Sequence, residues 1–359
     1  MRTKYIFAKI RSLKFFLTLL IFAICSISFG QKQLLTELDS LKKTIRQSTY
    51  YDSTTVFKNG QRAIQIAKKL KKPSEEATIY QYYGNFYFFS TNIKKSKYYY
   101  EKSIEKATTV DDKKLINSTK IRLTFILLES DLIAAERSFQ ELLKEALENT
   151  FIENSVEIYN GLGNLYDVRQ MKDEAMNYYL KGLKIADKEN QSYLSAMMLN
   201  NIGLLKFNNG QTQEAEKDFK EALEKIEGLN EDRLGLNLNN NLGLVNKELK
   251  DYKQSIKYYQ NTVVNAQKLG FPLGRGVAFL NLSDSYYNNK EYSKAQTYLD
   301  SAAQILKTFE QWDYFGMTYL IQAAIYNDLN KLELAKIQID SLFNLHNKYP
   351  NTTNVMNGH

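Results

Sequence analysis

Asparagine is the residue type whose spacing carries the most chemistry in this chain of 359 residues. Asn160, Asn200 and Asn240 are separated by 40 residues each, and so are Asn201, Asn241 and Asn281. Asn164 follows Asn160 by one helical turn, and Asn85 follows Gln81 in the same way. A carboxamide offers both donor and acceptor, so a row of them can pair with the peptide units of a bound chain without reading its side chains. Asparagine is also a weak helix former, so repeating it at mid-helix has a small cost. A ligand role explains that cost; hydrated polar filler is the other explanation.

Little else points to catalysis. The chain has one cysteine, Cys25, and two histidines, His346 and His359, which leaves no pair at metal-binding spacing and no nucleophile with an adjacent base. Carboxylate runs such as Glu221, Glu224 and Glu227, or Glu214, Glu216 and Asp218, read as solvated helix faces. The glycines stand singly, so no loop cradles a phosphate. Neither a cofactor nor a metal is expected.

The elements that carry the asparagines are set by a repeat. Small residues stand at Ser96, Ala135, Ala175, Ala215, Ser255, Ala295 and Ala335, spaced by 39 residues once and by 40 thereafter. Four residues after each comes a large one: Tyr100, Phe139, Tyr179, Phe219, Tyr259, Leu299 and Ile339. Twelve residues before each, a second column reads Gly84, Leu123, Gly163, Gly203, Gly243, Ser283 and Ala323, and three residues after it stand Tyr87, Tyr166, Tyr286 and Tyr326. Apolar residues recur three and four apart on both sides of short polar breaks such as Asn208-Asn209-Gly210-Gln211, which is the pattern of two helices joined by a turn. The small residues let two backbones approach, and the large one fills the groove beside them. Pro73, Pro272 and Gly235 are expected between units, where a helix can end.

This pattern resembles the tetratricopeptide repeat family, whose signature pairs a Leu-Gly and a Tyr in the first helix with an Ala and an aromatic in the second. The residues that match include Leu162-Gly163, Tyr166, Ala175 and Tyr179, and likewise Ile202-Gly203, Ala215 and Phe219. The resemblance covers residues 77–350, with a divergent helical hairpin at 31–76 before them. It implies an all-α, right-handed superhelical solenoid of about eight antiparallel helix hairpins. The period exceeds the usual value of about 34, so the helices or the links are longer. In that family the first helix of each pair lines the concave surface, where rows of Asn hold the backbone of an extended peptide. The resemblance therefore implies a groove formed by Gln81, Asn85, Lys120, Asn160, Asn164, Asn200, Asn201, Asn240, Asn241 and Asn281. A second family device, a clamp for terminal carboxylates, needs several cations beside the Asn; Lys120 alone falls there, so the clamp is not supported.

Residues 1–30 have the layout of a secretory signal peptide: Arg2, Lys4, Lys9, Arg11 and Lys14 without an acid, then an apolar run from Phe15 to Phe29. The run is short of the roughly 20 residues needed to cross a bilayer as a helix, so cleavage after Gly30 is expected. The alternatives are retention as an anchor or a lipid on Cys25, although Ile24 stands where such sites carry a small residue. The net charge of +8 then divides: the leader supplies five, residues 31–115 hold 17 Lys+Arg against 9 Asp+Glu, and residues 116–359 hold 26 against 31. Nucleic acid is not the expected partner.

Tyr80, Tyr82, Tyr83, Phe86, Tyr87, Phe88 and Phe89, followed by Tyr98, Tyr99 and Tyr100, are denser than two helices can bury. They either reach a partner or cover a neighbouring unit. Trp312 is expected to pack, and residues 351–359 to form a disordered tail behind a capping helix. The expected function is an exported, non-enzymatic scaffold that binds a peptide or protein in the cell envelope, its membrane contact limited to the leader or a weakly basic N-terminal face. The alternatives are a periplasmic input module of a bacterial signalling or transcription-regulatory system and an envelope enzyme using carboxylates.

Overall fold

The computed structural model describes residues 30–49, 52–229 and 231–350. The leader, with its cleavage or lipidation, and the expected disordered tail lie outside the described residues. The described residues form sixteen α-helices and no strand, which is the all-α helical-repeat class the columns predict. The chain divides into two compact units after Ser130.

The first unit holds α1 (30–48), α2 (Ser53–Lys69), α3 (Pro73–Phe89), α4 (Ile93–Thr108) and α5 (Lys113–Leu127). Its core is Leu38, Ile45, Val56, Ala63, Ile66, Ile79 and Tyr83. The second holds α6 (Leu132–Glu148), α7 (Ile152–Val168), α8 (Lys172–Lys188), α9 (Ser192–Asn208), α10 (Thr212–Lys225) and α11 (Asp232–Glu248), followed by α12 (Tyr252–Lys268), α13 (Pro272–Asn288), α14 (Tyr292–Thr308), α15 (Trp312–Asp328) and α16 (Leu332–Lys348). Its core runs along the stack through residues such as Tyr179, Phe219, Leu238, Leu242, Leu299 and Ile325.

Most helices have 17 residues, and most links have three. The residues beyond the usual period therefore lie in the helices and not in the links. Most links turn through one left-handed residue, and these recur about every twenty positions: Lys71, Thr91, Asp111, then, after the α5–α6 link, which has none, Thr150, Gln170, Asn190, Gly210, and on to Asn330. The next amide bonds back to a carbonyl five residues earlier, as in Asn92 N–H to Tyr87 O at 2.8 Å and Gln191 N–H to Ala186 O at 2.8 Å. That closes these helices with the bonding of a Schellman turn. Asp52, Asn92, Asp112, Asp131 and Asp251 cap the helices that follow with their side chains.

The two small columns face each other within a hairpin. Ser96 Oγ donates to Gly84 O at 2.9 Å, Ser255 Oγ to Gly243 O at 2.8 Å, and Ser283 Oγ to Ala295 O at 2.7 Å. Ala135, Ala175, Ala215 and Ala295 are fully buried. The glycines are needed for a close approach: a β-carbon at Gly203 would lie 2.7 Å from the Phe219 ring, and one at Gly243 would lie 2.7 Å from the Tyr259 ring. Gly84 against Tyr100 and Gly163 against Tyr179 have the same arrangement. Three residues after the glycine column, rings stack across the hairpin: Tyr87 on Tyr99, Tyr166 on Tyr178 and Tyr286 on Tyr298. In the α9–α10 hairpin the same two places hold Lys206 and Asp218, an ion pair at 2.7 Å.

Four expectations change. Pro73 and Pro272 open α3 and α13 and do not stand between helices, because a first-turn proline has no amide to lose. The first hairpin accordingly ends before Pro73, and not at residue 76, which lies inside α3. Gly235 lies buried within α11, where a β-carbon would stand 3.4 Å from the Asn265 amide nitrogen of α12, an ordinary contact. Finally, α16, expected to cap the stack, turns apolar residues outward. It exposes Leu332, Leu334, Ile337 and Phe343, buries only Leu342, and leaves Ala335 half-buried.

Candidate partner-binding groove

Within the second unit, the asparagine rows of successive first helices join into a ladder. Asn201 Nδ2 on α9 donates to Asn160 Oδ1 on α7; Asn241 Nδ2 on α11 donates to Asn200 Oδ1 on α9 at 2.9 Å; Asn281 Nδ2 on α13 donates to Asn240 Oδ1 on α11 at 3.1 Å. Asn200 Nδ2 also reaches Asn201 Oδ1 at 3.1 Å, which links the first two rungs. Every rung joins residues 41 apart, and in each the later residue donates. A carboxamide has two donors and two acceptor positions, so a rung uses only part of what each side chain offers. Asn200 is buried, whereas Asn160, Asn201, Asn240, Asn241 and Asn281 are half-buried.

A cavity of about 390 Å³ opens beside this ladder. Asn200 and Leu204 of α9 and Asn240 and Asn241 of α11 form one wall; Leu236, Leu273, Val277 and Ala278 make an apolar floor. Arg233, Asn237, Phe271 and Tyr314 complete the rim. The Arg233 guanidinium lies 5.3 Å from the centre of the Phe271 ring, a cation–π contact that presents a positive charge over an aromatic face. Asn237 and Tyr314 are exposed. An apolar floor with a few convergent carboxamides and one cation suits a segment that offers peptide groups and a hydrophobic side chain.

Not every expected groove residue belongs there. The Tyr100 hydroxyl donates to Asn85 Oδ1 at 2.8 Å, and the Tyr179 hydroxyl donates to Asn164 Oδ1 at 2.7 Å. These two asparagines use Oδ1 to satisfy the polar tip of the ring that packs on Gly84 or Gly163, and neither lines the cavity. Phe219, which has no hydroxyl to satisfy, pairs with a chain that carries Leu204 in that position. Gln81 is buried and donates to Ser118 Oγ and Thr119 Oγ1 at 3.2 and 3.0 Å, which ties α3 to α5 within the first unit. Lys120 is exposed on α5. Arg233, Asn237, Phe271 and Tyr314 carried no sequence signal, because their repeat positions are not occupied by like residues; place 233, for example, holds Tyr193 one repeat earlier and Leu273 one repeat later.

The titratable groups serve packing. Tyr166 donates to Glu136 at 2.5 Å, and Arg169 donates to the other oxygen of Glu136 at 2.7 Å. Those two hydrogen bonds hold the Glu136 carboxyl below its ordinary range, and the bond to Glu136 followed by burial pushes the Tyr166 hydroxyl well above its own. Burial is the first cause that raises both Tyr83, where Tyr99, Tyr80 and Tyr87 add to it, and Tyr259, where Asp284 adds to it. Among the described residues no group of three or more His, Cys, Asp or Glu side chains is placed to hold a metal ion. His346 is half-buried in α16, and Trp312 stacks on Tyr349 at 4.4 Å.

Tetratricopeptide repeat family models match residues 156–189 and 194–268, the segments that carry the ladder up to Asn241 and part of the cavity lining. These matched segments are tetratricopeptide repeats. Such repeats are protein-interaction scaffolds, and that is the level of function the family carries. No curated protein matches the sequence. Among solved structures, a signal transduction ATPase with numerous domains and a tetratricopeptide repeat sensor, from Pyrococcus horikoshii, superposes with a TM-score of 0.62 at 19% identity, covering 83% of this chain and 47% of its own. The Rap protein complexed with Competence and Sporulation Factor gives 0.55 at 14% identity over 90% and 99% of the two chains. Aspartyl phosphate phosphatase F from Bacillus subtilis gives 0.54 at 14% identity over 80% and 75%. At these identities the likeness is one of fold. Among the described residues no helix is long and apolar enough to cross a membrane.

Proposed function

We propose that this tetratricopeptide repeat protein is a non-enzymatic scaffold whose second unit binds an extended segment of a peptide or protein partner against the Asn ladder. One observation carries the reading: Asn200, Asn240 and Asn241 converge with an apolar floor on a single cavity. Carboxamides fixed by their neighbours are presented in a defined orientation, which lowers the ordering cost when a partner's peptide groups arrive. The leader-like composition of residues 1–30 supports export, with the partner in the cell envelope. The likeness in fold to a signal transduction ATPase with a tetratricopeptide repeat sensor favours a second reading, in which the bound segment is a signal for a regulatory partner.

Asn237 and Tyr314 line the cavity, stand outside the ladder and are exposed, so replacing both with Ala is expected to leave the fold intact. Pull-down from envelope extract with residues 31–359 should then recover markedly less partner than the unsubstituted protein does. An unchanged set of partners at unchanged yield would overturn the groove assignment.

A further inference from the structure

The α3–α4 hairpin of the first unit ends in a surface that the peptide groove does not account for. Its turn carries Phe88 and Phe89 at the end of α3, then Ile93, Lys94, Lys95 and Lys97 at the start of α4. Phe89 is 47% exposed, and Lys94, Lys95 and Lys97 are all exposed. The two phenyl rings meet edge to face at 5.4 Å, and Lys95 Nζ sits 5.0 Å from the centre of the Tyr87 ring. No acidic residue occurs between Glu76 and Glu101. Every later hairpin has an acid in the turn or in the first turn of its second helix: Asp131, Asp173, Glu214, Asp251, Glu291 and Glu333.

We propose that this tip is a docking site for the surface of an anionic lipid bilayer. Phenyl rings and an isoleucine at the end of a hairpin can enter the boundary between headgroups and acyl chains, while lysines at the same end remain among the anionic headgroups. The size of the surface selects the bilayer over an acidic protein. Phe88 and Ile93 are half-buried already, so the two rings and the aliphatic side chain offer about 200 Å², well under the roughly 600 Å² that each partner of a stable protein interface contributes. A bilayer needs no matching partner surface and adds the attraction of its whole charged plane. The other basic group of this unit, Lys68, Lys69, Lys71 and Lys72, lies at the opposite end of α3, about 25 Å away along the helix. It is less suited, because Glu76 stands 3.9 Å from both Lys68 and Lys106.

The test is sedimentation of residues 31–359, which contain every described helix, with phosphatidylcholine vesicles that lack or contain phosphatidylglycerol. The unsubstituted protein should partition only onto the anionic vesicles, and less so as salt is raised. One lysine near such a surface changes partition about fivefold, so K94Q/K95Q/K97Q should lose about a hundredfold, while the triple Arg variant retains binding. F88S/F89S should lose about tenfold or more without changing the salt dependence. These positions lie at a turn, and circular dichroism of each variant should superpose on that of the parent. Equal partition of the parent onto both vesicle types, or anionic binding that survives both the glutamine and the serine variants, would overturn the proposal. Retention of the parent on polyglutamate but on no vesicle would overturn it too and would name an acidic protein as the partner.

Discussion

Gly84 in the α3–α4 hairpin and Gly203 in the α9–α10 hairpin do the same work: each admits a ring from the second helix, Tyr100 in one and Phe219 in the other. Around that shared skeleton the two hairpins differ in nearly every surface choice. The first locks its helices with stacked Tyr87 and Tyr99, whose planes are 5° apart; the second uses the ion pair of Lys206 with Asp218. The first turns through Thr91 at φ 58°, the second through Gly210 at φ 78°. The first ends in phenyl rings and lysines, whereas the second contributes Asn200 and Leu204 to the wall of a groove. The difference teaches that the repeat fixes only the residues between the paired helices. Everything that faces outward is free to acquire a separate chemistry in each unit.

That comparison can be broken most directly at its shared point. Gly203→Val and Gly84→Val would each drive a β-branched side chain into a buried ring, and each is expected to lower stability by about 2–3 kcal/mol in urea denaturation. Similar losses would support a common skeleton. A loss under about 0.5 kcal/mol in one hairpin alone would show that its ring can move aside and that the equivalence is only apparent. The locks should separate the hairpins next. Asp218→Asn should cost about 1–2 kcal/mol at low salt and less at high salt, since it leaves a half-buried lysine without its partner and the attraction is screened. Tyr99→Leu should cost about 1 kcal/mol at either salt concentration, because ring stacking is not screened. A salt-dependent cost for Tyr99→Leu would sink the distinction. The smallest effect belongs to the turns. Thr91→Gly should gain about 0.5–1 kcal/mol and Gly210→Thr lose about as much, because a β-branched residue is strained in the left-handed region. Thermal melts of the two variants moving in the same direction would contradict that account.

Much of the fold was legible because a helix stack writes its contacts into a constant period. Ser96 and Gly84, or Ser255 and Gly243, stand twelve residues apart in the sequence and meet across a hairpin. The turns were less legible. Among the described residues only Gly210, Gly228 and Gly270 of the left-handed positions are glycines; Lys71, Gln170 and Glu310 occupy the same conformation with no signature, because backbone bonding to the helix end compensates for their strain. The site was legible in part. The asparagine rows were visible, but not the internal bonds that some of their members make: Asn85 and Asn164 accept from tyrosine hydroxyls, and Gln81 joins α3 to α5.

By itself the sequence determined the repeat: the period, the paired columns, the helix count and the identity of the residues at the interface. These follow from local periodicity and from the volume that two packed backbones leave for a side chain. The tertiary structure decided which outward residues meet. The rungs join residues 41 apart and not 40, because neighbouring first helices bring a residue opposite the place just beyond its own equivalent. Arg233 reaches Phe271, and Tyr314 reaches the same cavity, through contacts between different repeats. Such meetings depend on the stagger of one helix against the next. Side-chain packing sets that stagger only once the stack has formed.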